Sequence, residues 1–465
     1  MDTEQEPLTV QPQSGVAENP HGTGICISSS QGIIPQDATV TAAAVPQEGS
    51  PTSTLQGTKP RRNDTRPYSY RPLEAESSIR LLTLLPTTNA DSPIECTLTQ
   101  HTLNANSGDT VIYKALSYTW GDPALEHLIY VDGTPTPVTK NLYIALLHLR
   151  AIGLCNPWWI DAICINQEDV RERSHQVSMM RSIFRSASET VSWLGPTSDD
   201  SDLVMDLLGR LGRELGSLED NPDDILVDVS GTVHAAMQES QRLAAAIWKF
   251  LDRPYWKRVW VVQELVVPVG LRVLCGGKQA RWHAVAALFD ALMHDNIYPS
   301  HSGGQQSAAL LVQSRVILRR AYAGAIDVPT TAPDELSLGQ LVSLTRLMAA
   351  TEPRDRVFAL LGIVMSGHGR DIMIDYNASL CSVFCGAIRI MYQDEREGIG
   401  FWGAGQDVLK WWDSEGKDAI AARCQHRPLE LEVVERVGCD GISCGAQDLL
   451  VKVPILRRWI EEGVD

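Results

Sequence analysis

The order of strand-like and helix-like segments in this sequence predicts an α/β fold, in which helices flank a mostly parallel sheet. From residue 113 to residue 194, predicted strands and helices alternate at lengths that suit right-handed crossover connections. Pro157–Asn166 is a nearly continuous apolar segment with one acid, Asp161, which is typical of a strand buried on both faces of a parallel sheet. Beyond Trp282 the apolar residues follow a mainly helical spacing, which predicts a helical extension after the α/β domain.

Order begins near Tyr68 with three predicted strands. Ile79–Leu85 is a mainly apolar segment followed by a proline, and it is predicted to be a strand. Ile94–Gln100 alternates apolar and polar residues as a half-buried strand does. The third strand lies within Tyr113–Asp122 and is halted by the turn signal Gly121-Asp122-Pro123.

A hairpin and two helices follow these strands. Leu128–Val131 and Thr134–Val138 are joined by Asp-Gly, the sequence of a tight two-residue turn. Thr139 is a suitable N-cap for the first helix, and Asp169 with Glu172 three residues later resembles a capping box at the start of the second.

The polar residues that follow strands are candidate site positions, because ligands of open α/β sheets bind beyond the carboxyl ends of the strands. The strand Glu189–Leu194 is stopped by Gly195-Pro196. Two other strand ends carry polar residues, Trp120-Gly121-Asp122 and Asn166-Gln167-Glu168.

The second half of the domain contains an acidic segment and then an unusual aromatic and basic one. Residues 199–234 are predicted to be a solvated, partly helical acidic insertion, and a further helix covers 235–252. Trp256–Val266 then predicts a helix and Leu271–Cys275 a strand, which ends at Gly276-Gly277. We therefore assign residues 68–277 to the α/β domain and 278–465 to the extension.

Glu264 interrupts the apolar segment that contains this helix. Burying a charge among apolar residues costs several kcal/mol unless the charge is paired or used. Glu264 is therefore either the ion-pair partner of a nearby arginine or a residue at the edge of a site, and its position leaves both interpretations open.

Composition favours an intracellular chain, which we expect to be cytoplasmic. The 465 residues carry a net charge of −17, which argues against non-specific nucleic-acid binding. The N-terminus lacks the pattern of a signal peptide, and no apolar segment reaches the length of a membrane span. Residues 1–66 are rich in small and polar residues and are predicted to be disordered. The ten cysteines form no CxxC pair, which fits a reducing compartment and indicates no metal site.

Common catalytic motifs are missing from the sequence. It contains no phosphate-binding loop, no HExxH zinc motif, no GxSxG elbow and no GxGxxG fingerprint after a strand. A conventional kinase, metalloenzyme or serine hydrolase is therefore disfavoured.

Six ordered segments resemble the fungal heterokaryon-incompatibility (HET) domain family, including the group related to the OR allele. They are Tyr113–Asp122, Trp158–Asp169, Arg173–Val177 with Met180 and Ile183, Val191–Gly195, Tyr255–Glu264 and Pro353–Gly362. The resemblance implies a filamentous-fungal protein of non-self recognition. In such a protein the domain triggers cell death by binding a protein partner or by self-association.

HET domains in turn resemble, distantly, the Toll/interleukin-receptor (TIR) domains, which have a flavodoxin-like α/β layout. In TIR domains that cleave NAD, a catalytic Glu follows a Trp in a W-x-x-x-E-L pattern, and Trp260 to Leu265 has this spacing. This second resemblance implies Glu264 as the catalytic residue and NAD as a substrate; no resident cofactor or metal is implied. The residues that would bind NAD are Trp120, Gly121, Asp122, Asp161 and Trp260. Cleavage of the weak nicotinamide bond needs little beyond a nearby carboxylate. A signalling module in which Glu264 is structural is the competing hypothesis.

Overall fold

A computed structural model describes residues 68–87, 89, 91–103, 111–153, 157–216, 229–294, 337–345, 348–364, 369 and 372–396. The predicted disordered region, 1–66, and the part of the extension beyond residue 396 lie outside these residues. Among the described residues, no helix is long and apolar enough to span a membrane.

The described strands form one sheet. In chain order they are β1 Ser78–Leu84, β2 Glu95–Thr102, β3 Lys114–Tyr118, β4 His127–Val131, β5 Thr134–Val138, β6 Trp158–Trp159, β7 Glu189–Trp193, β8 Leu271–Cys275 and β9 Lys278–Arg281. Their order across the sheet is β5-β4-β2-β1-β6-β3-β7-β8-β9.

The helices of the described residues surround this sheet or continue beyond it. They are α1 Lys140–Ala151, α2 Asp161–Cys164, α3 Val170–Ser178, α4 Met180–Ser186, α5 Ser201–Glu214, α6 Ser230–Glu239, α7 Gln241–Leu251, α8 Trp260–Val266, α9 Trp282–His294, α10 Leu338–Leu344, α11 Asp355–Leu361 and α12 Leu380–Arg396. A 3-10 helix, Pro254–Lys257, precedes α8.

The α/β class is confirmed, but the sheet is mixed rather than mostly parallel. Four of its pairings are parallel, and the contiguous parallel part is β6-β3-β7-β8. The other four pairings are antiparallel. The difference arises because β1 runs antiparallel to both of its neighbours and because hairpins add β5 and β9 at the two ends of the sheet.

Local signals placed several elements correctly. The Asp132-Gly133 turn has positive φ at both residues, 48° and 76°, as a two-residue hairpin turn requires. The Thr139 side chain accepts a hydrogen bond from the N–H of Leu142 at the start of α1. Asp169 caps α3 through the N–H groups of Arg171 and Glu172.

Two predicted elements were wrong in extent. The segment Pro157–Asn166 is not one strand: only Trp158 and Trp159 pair in the sheet, and α2 begins at Asp161. Its apolar character reflects the burial of Trp158–Ile160 and Ile163–Ile165, which a short strand and a helical turn satisfy equally well. Likewise α8 begins at Trp260 instead of Trp256, since Arg258 is extended between the 3-10 helix and α8.

The acidic segment is not simply a solvated insertion. Within it, α5 buries Val204, Leu207, Leu208 and Leu211 and leaves its acidic residues on the opposite face. An amphipathic helix of this kind is charged only on its solvent side, so a count of acids along the sequence conceals its apolar face.

The core consists of two apolar clusters, which meet on the two faces of β8. Leu271, Val273 and Cys275 belong to a cluster that includes side chains of α5 to α12. Leu274 belongs to the cluster built by β1 to β7 and α1 to α4. Helix α8 lies between the clusters, and its Trp260 packs against both.

Candidate functional site

Glu264 is buried, with a side chain that is 5% exposed, and it contacts polar side chains. Its Oε2 accepts a hydrogen bond from the Ser117 hydroxyl at 2.5 Å and lies 3.8 Å from Nη1 of Arg258. Burial raises the pKa of Glu264, while Arg258 and the Ser117 bond oppose the rise.

The hydroxyl that holds Glu264 comes from the parallel part of the sheet. Ser117 of β3 is paired in register with Ser192 of β7, so both side chains face the side on which α8 lies. Both are buried. The Ser117 hydroxyl is also 2.8 Å from the hydroxyl of Tyr255, which lies in the 3-10 helix. Because the Ser117 proton is used toward Glu264, Tyr255 donates to Ser117.

Arg258 connects Glu264 to the end of β3 and to a second acid. Its guanidinium donates to the carbonyl of Tyr118, the last residue of β3. Its positive charge also opposes the rise that burial causes in the pKa of Asp161. One guanidinium therefore serves two carboxylates, Glu264 and Asp161. The charge of Asp161 adds to the rise in the pKa of Glu264.

Asp161 is held at the first position of α2, where an acid is favoured by the helix dipole. Its Oδ2 accepts from the indole N–H of Trp120 at 2.8 Å, and its Oδ1 accepts from the N–H of Ala162 at 2.7 Å. Burial raises the pKa of Asp161, and the nearby Tyr118 side chain is one of the groups that oppose the rise. Trp120 is 41% exposed, so its ring is fixed at one edge while much of its surface remains open to solvent.

These side chains form one polar cluster at the carboxyl ends of β3 and β6. We call it the Glu264 cluster, and its members are Ser117, Tyr118, Trp120, Asp161, Tyr255, Arg258 and Glu264. It contains two carboxylates, one guanidinium and several hydroxyl groups. Within the described ranges no group of three or more His, Cys, Asp or Glu residues is arranged to hold a metal ion.

Comparison with known proteins gives the cluster a family context. Residues 113–264 match the family model "Heterokaryon incompatibility protein (HET)". The chain carries a HET domain. It is also similar to heterokaryon incompatibility protein 6, OR allele, from Neurospora crassa, with 28% identity over 367 residues, which cover 69% of this chain. The match covers 52% of that relative, so the chain spans about half the length of the curated protein it matches. No solved structure matches the chain.

The HET segments quoted from the sequence converge on the Glu264 cluster. The segment at β3 supplies Ser117 and Tyr118, and the segment at β6 and α2 supplies Asp161. The fifth segment, from the 3-10 helix to α8, supplies Tyr255, Arg258 and Glu264. The matched range ends at Glu264 itself. The matched range therefore contains every residue of the Glu264 cluster.

The structure brings together only some of the predicted NAD-binding residues. Trp120 and Asp161 join Glu264 in the cluster. Asp122 is exposed and accepts from the N–H of Ala124, and Gly121 adopts φ of +73° in the same loop. No contact of either residue with the cluster is present among the described contacts.

Trp260 lies beside the extension. Its side chain is close enough to Asp355 of α11 to oppose the rise that burial causes in the pKa of that acid. A spacing of four residues puts Trp260 and Glu264 on one face of a helix, but no hydrogen bond between them is present among the described contacts.

Sequence reasoning missed Ser117 as a partner of Glu264 and Tyr255 as a partner of Ser117. It did allow for a nearby arginine, which is Arg258 in the structure. The signal was present as polar residues inside otherwise buried strands, Ser117 in β3 and Ser192 in β7. Buried hydroxyls need partners, but the identity of a partner about 150 residues away is set by the tertiary fold.

Proposed function

We propose that this HET domain protein acts in heterokaryon incompatibility as a cell-death signalling module, which works by binding a protein partner or by self-association. The observation that carries the proposal is the state of Glu264. The acid is almost fully buried and is shared between the Ser117 hydroxyl and Arg258, so it acts as a link between β3, the 3-10 helix and α8. The printed name of the Neurospora relative supports the same biological process.

The experiment expresses the full chain from an inducible promoter in a filamentous fungus and measures both cell death and the cellular NAD content. We expect death without prior loss of NAD, and we expect Glu264→Gln to retain the effect, because an amide still accepts from Ser117. Induced cells that stay viable, or a fall in NAD that precedes death, would contradict the proposal.

A second candidate function is cleavage of NAD, in the manner implied by the TIR resemblance and the flavodoxin-like layout. One observation favours it: the acids Asp161 and Glu264 lie with the half-exposed Trp120 at the carboxyl ends of parallel strands, where α/β sheets bind ligands. A carboxylate there would stabilise an oxocarbenium-like transition state, and Trp120 offers a ring for stacking.

The two functions are separated by incubating the purified, concentrated full chain with NAD and following nicotinamide release by chromatography. Catalysis by Glu264 predicts release that Glu264→Gln abolishes while the circular dichroism spectrum is unchanged. Signalling without catalysis predicts NAD that stays intact with both proteins. Release that persists in Glu264→Gln would exclude Glu264 as the catalytic residue.

A further inference from the structure

A segment of the extension pairs directly with the backbone that carries Arg258. The N–H of Val259 donates to the carbonyl of Ala349 at 3.0 Å, and the N–H of Ala349 donates to the carbonyl of Lys257 at 2.6 Å. These two bonds lie on either side of Arg258, which forms an isolated parallel bridge with Ala349. The extended conformation of Arg258, which aims its guanidinium at the Glu264 cluster, is therefore held by residues of the extension.

The same segment is tied to α11. The guanidinium of Arg356 donates to the carbonyl of Met348 at 2.9 Å. Asp355, the first residue of α11, lies close enough to the Trp260 side chain, at the start of α8, for that side chain to influence its pKa. The backbone of Arg258 is thus bonded to the extension, and the side chain of Trp260 lies beside it.

Tyr376 closes this arrangement. Its hydroxyl donates to Oδ1 of Asp355 at 2.7 Å, and its ring packs edge-on against Phe358 at a centroid distance of 5.3 Å. Its N–H donates to the Ser174 hydroxyl of α3 at 3.1 Å, and the guanidinium of Arg173 lies 4.3 Å from the centroid of its ring. Tyr376 therefore joins α3, α11 and, through Asp355, the start of α8.

We propose that residues 348–376 contain a strap, made of Met348–Ala350, Asp355 and Tyr376, that holds Arg258 and Glu264 in their paired arrangement. Asp355 and Tyr376 are its positioning residues: they act on the Glu264 cluster through Trp260 and the 257–259 backbone, without touching Glu264. Loosening the strap frees Arg258 from Glu264 and changes the accessibility of the acid. This inference goes beyond the proposed function, because signalling and catalysis would both depend on the state of Glu264.

The hydrogen bond between Tyr376 and Asp355 is of a kind that can break without a large loss of free energy. The Asp355 carboxylate accepts from a neutral donor, the Tyr376 hydroxyl, instead of from a tightly paired guanidinium. Burial raises the pKa of Asp355, and the nearby Tyr376 and Trp260 side chains only oppose that rise. A partner that offers Asp355 or Tyr376 better contacts would therefore release the strap at modest cost.

The test is hydrogen–deuterium exchange of the full chain, comparing Tyr376→Phe with the matched variant Tyr113→Phe. Both lose one tyrosine hydroxyl that donates to an acceptor inside the protein, since the Tyr113 hydroxyl donates to the carbonyl of Ile183. We expect Tyr376→Phe to speed exchange of residues 257–267 about fivefold or more while β1 and β2 keep their wild-type rates. Tyr113→Phe should leave residues 257–267 unchanged.

A second variant, Asp355→Asn, should give a smaller increase in exchange. In Asp355→Asn the amide oxygen can still accept from Tyr376, so exchange of residues 257–267 should rise less than in Tyr376→Phe. Unchanged exchange of 257–267 in both variants would overturn the proposal. So would an equal rise in β1 and β2, because that pattern describes general destabilisation without a local strap.

Discussion

At the scale of single residues, Glu264 brings an ionisable group into a layer of otherwise apolar side chains. The pKa of this acid is raised above its ordinary value of 4.5, chiefly by burial. A raised pKa means that ionisation costs more in the folded than in the unfolded chain. The contribution of Glu264 to stability is therefore fully present below pH 4.5 and is lost as the pH rises through the folded pKa.

Glu264→Gln should remove this pH dependence. We expect the unfolding free energy of the variant, relative to wild type, to increase as the pH rises above about 4.5, by up to ~1.4 kcal/mol per pH unit, and then to level off. Urea unfolding at a series of pH values from 4 to 8 measures this difference. A difference that stays flat, or that falls as the pH rises, would contradict the assignment.

Glu189→Gln is a control for which we expect the opposite dependence of stability on pH. Burial alone would raise the pKa of Glu189, but Arg272 and Lys114 outweigh it and lower that pKa below its ordinary value. The stability from Glu189 is present above its ordinary pKa and is lost as the pH falls through the folded pKa. Glu189→Gln should therefore be less stable than wild type near neutral pH, and the deficit should shrink in acid.

Ser117→Ala tests the bond that holds Glu264 in place. The variant leaves a buried carboxylate and the Tyr255 hydroxyl each without one partner, so we expect a loss of about 1–3 kcal/mol in unfolding free energy. Ser178→Ala removes a hydroxyl on an exposed face, which donates to the carbonyl of His175, and should cost less than about 0.5 kcal/mol. Equal small losses in the two variants would show that the Ser117 bond adds little.

At the scale of elements, the sequence predicted structure well wherever a local signal decides it. The Asp-Gly turn and the Thr139 cap depend on a few neighbouring residues, and both were predicted correctly. The pairing directions of β1 and the short length of β6 depend on distant contacts, so the alternation of elements suggested a more parallel sheet than the one that forms.

Gly362 stands at the end of α11, where a glycine often stops a helix. Its φ is −66°, however, so it is not in the left-handed conformation for which glycine is usually selected. A Cβ there would lie 2.5 Å from the Gln263 amide, so the close approach of α11 to α8 is what excludes a larger residue.

The edge strand β5 contains two prolines, Pro135 and Pro137, whose effect depends on the register of its pairing with β4. Its pairs with β4 place the nitrogens of Pro135 and Pro137 on the side that faces away from β4. Proline has no N–H, so this edge offers fewer donors to an incoming strand. Self-association through edge pairing of β5 is therefore disfavoured.

Replacing both prolines by threonine should restore two edge donors and promote association. We expect Pro135→Thr/Pro137→Thr to show a larger weight-average mass than wild type in sedimentation equilibrium at the same concentration. Pro123→Thr, a similar change in an exposed loop, should keep the wild-type mass. A double variant with unchanged mass would show that another feature blocks this edge.

At the scale of the whole molecule, the residues that match the HET family end at Glu264, but the apolar core continues into later helices. Residues 113–264 match the family, yet α8 packs in a cluster that α10 and α11 complete. Leu338, Leu341, Val357 and Phe358 of these helices are completely buried there. The domain boundary predicted at 277/278 remains a prediction, and the packing of α8 suggests how to test it.

A chain that ends at residue 294 should lose cooperative unfolding. It would expose the apolar face that α8 presents to α10 and α11, and burial of each large apolar side chain contributes about 1.5–3 kcal/mol, so the loss of several approaches the whole stability of a domain. We expect weak near-ultraviolet circular dichroism and a broad thermal transition, while removal of residues 1–66, predicted to be disordered, should leave the transition unchanged. A sharp transition at the wild-type temperature in the chain that ends at residue 294 would instead establish the HET domain as an independent folding unit. The strap would then be an addition to a finished domain, and Arg258 and Glu264 would keep their pairing without it.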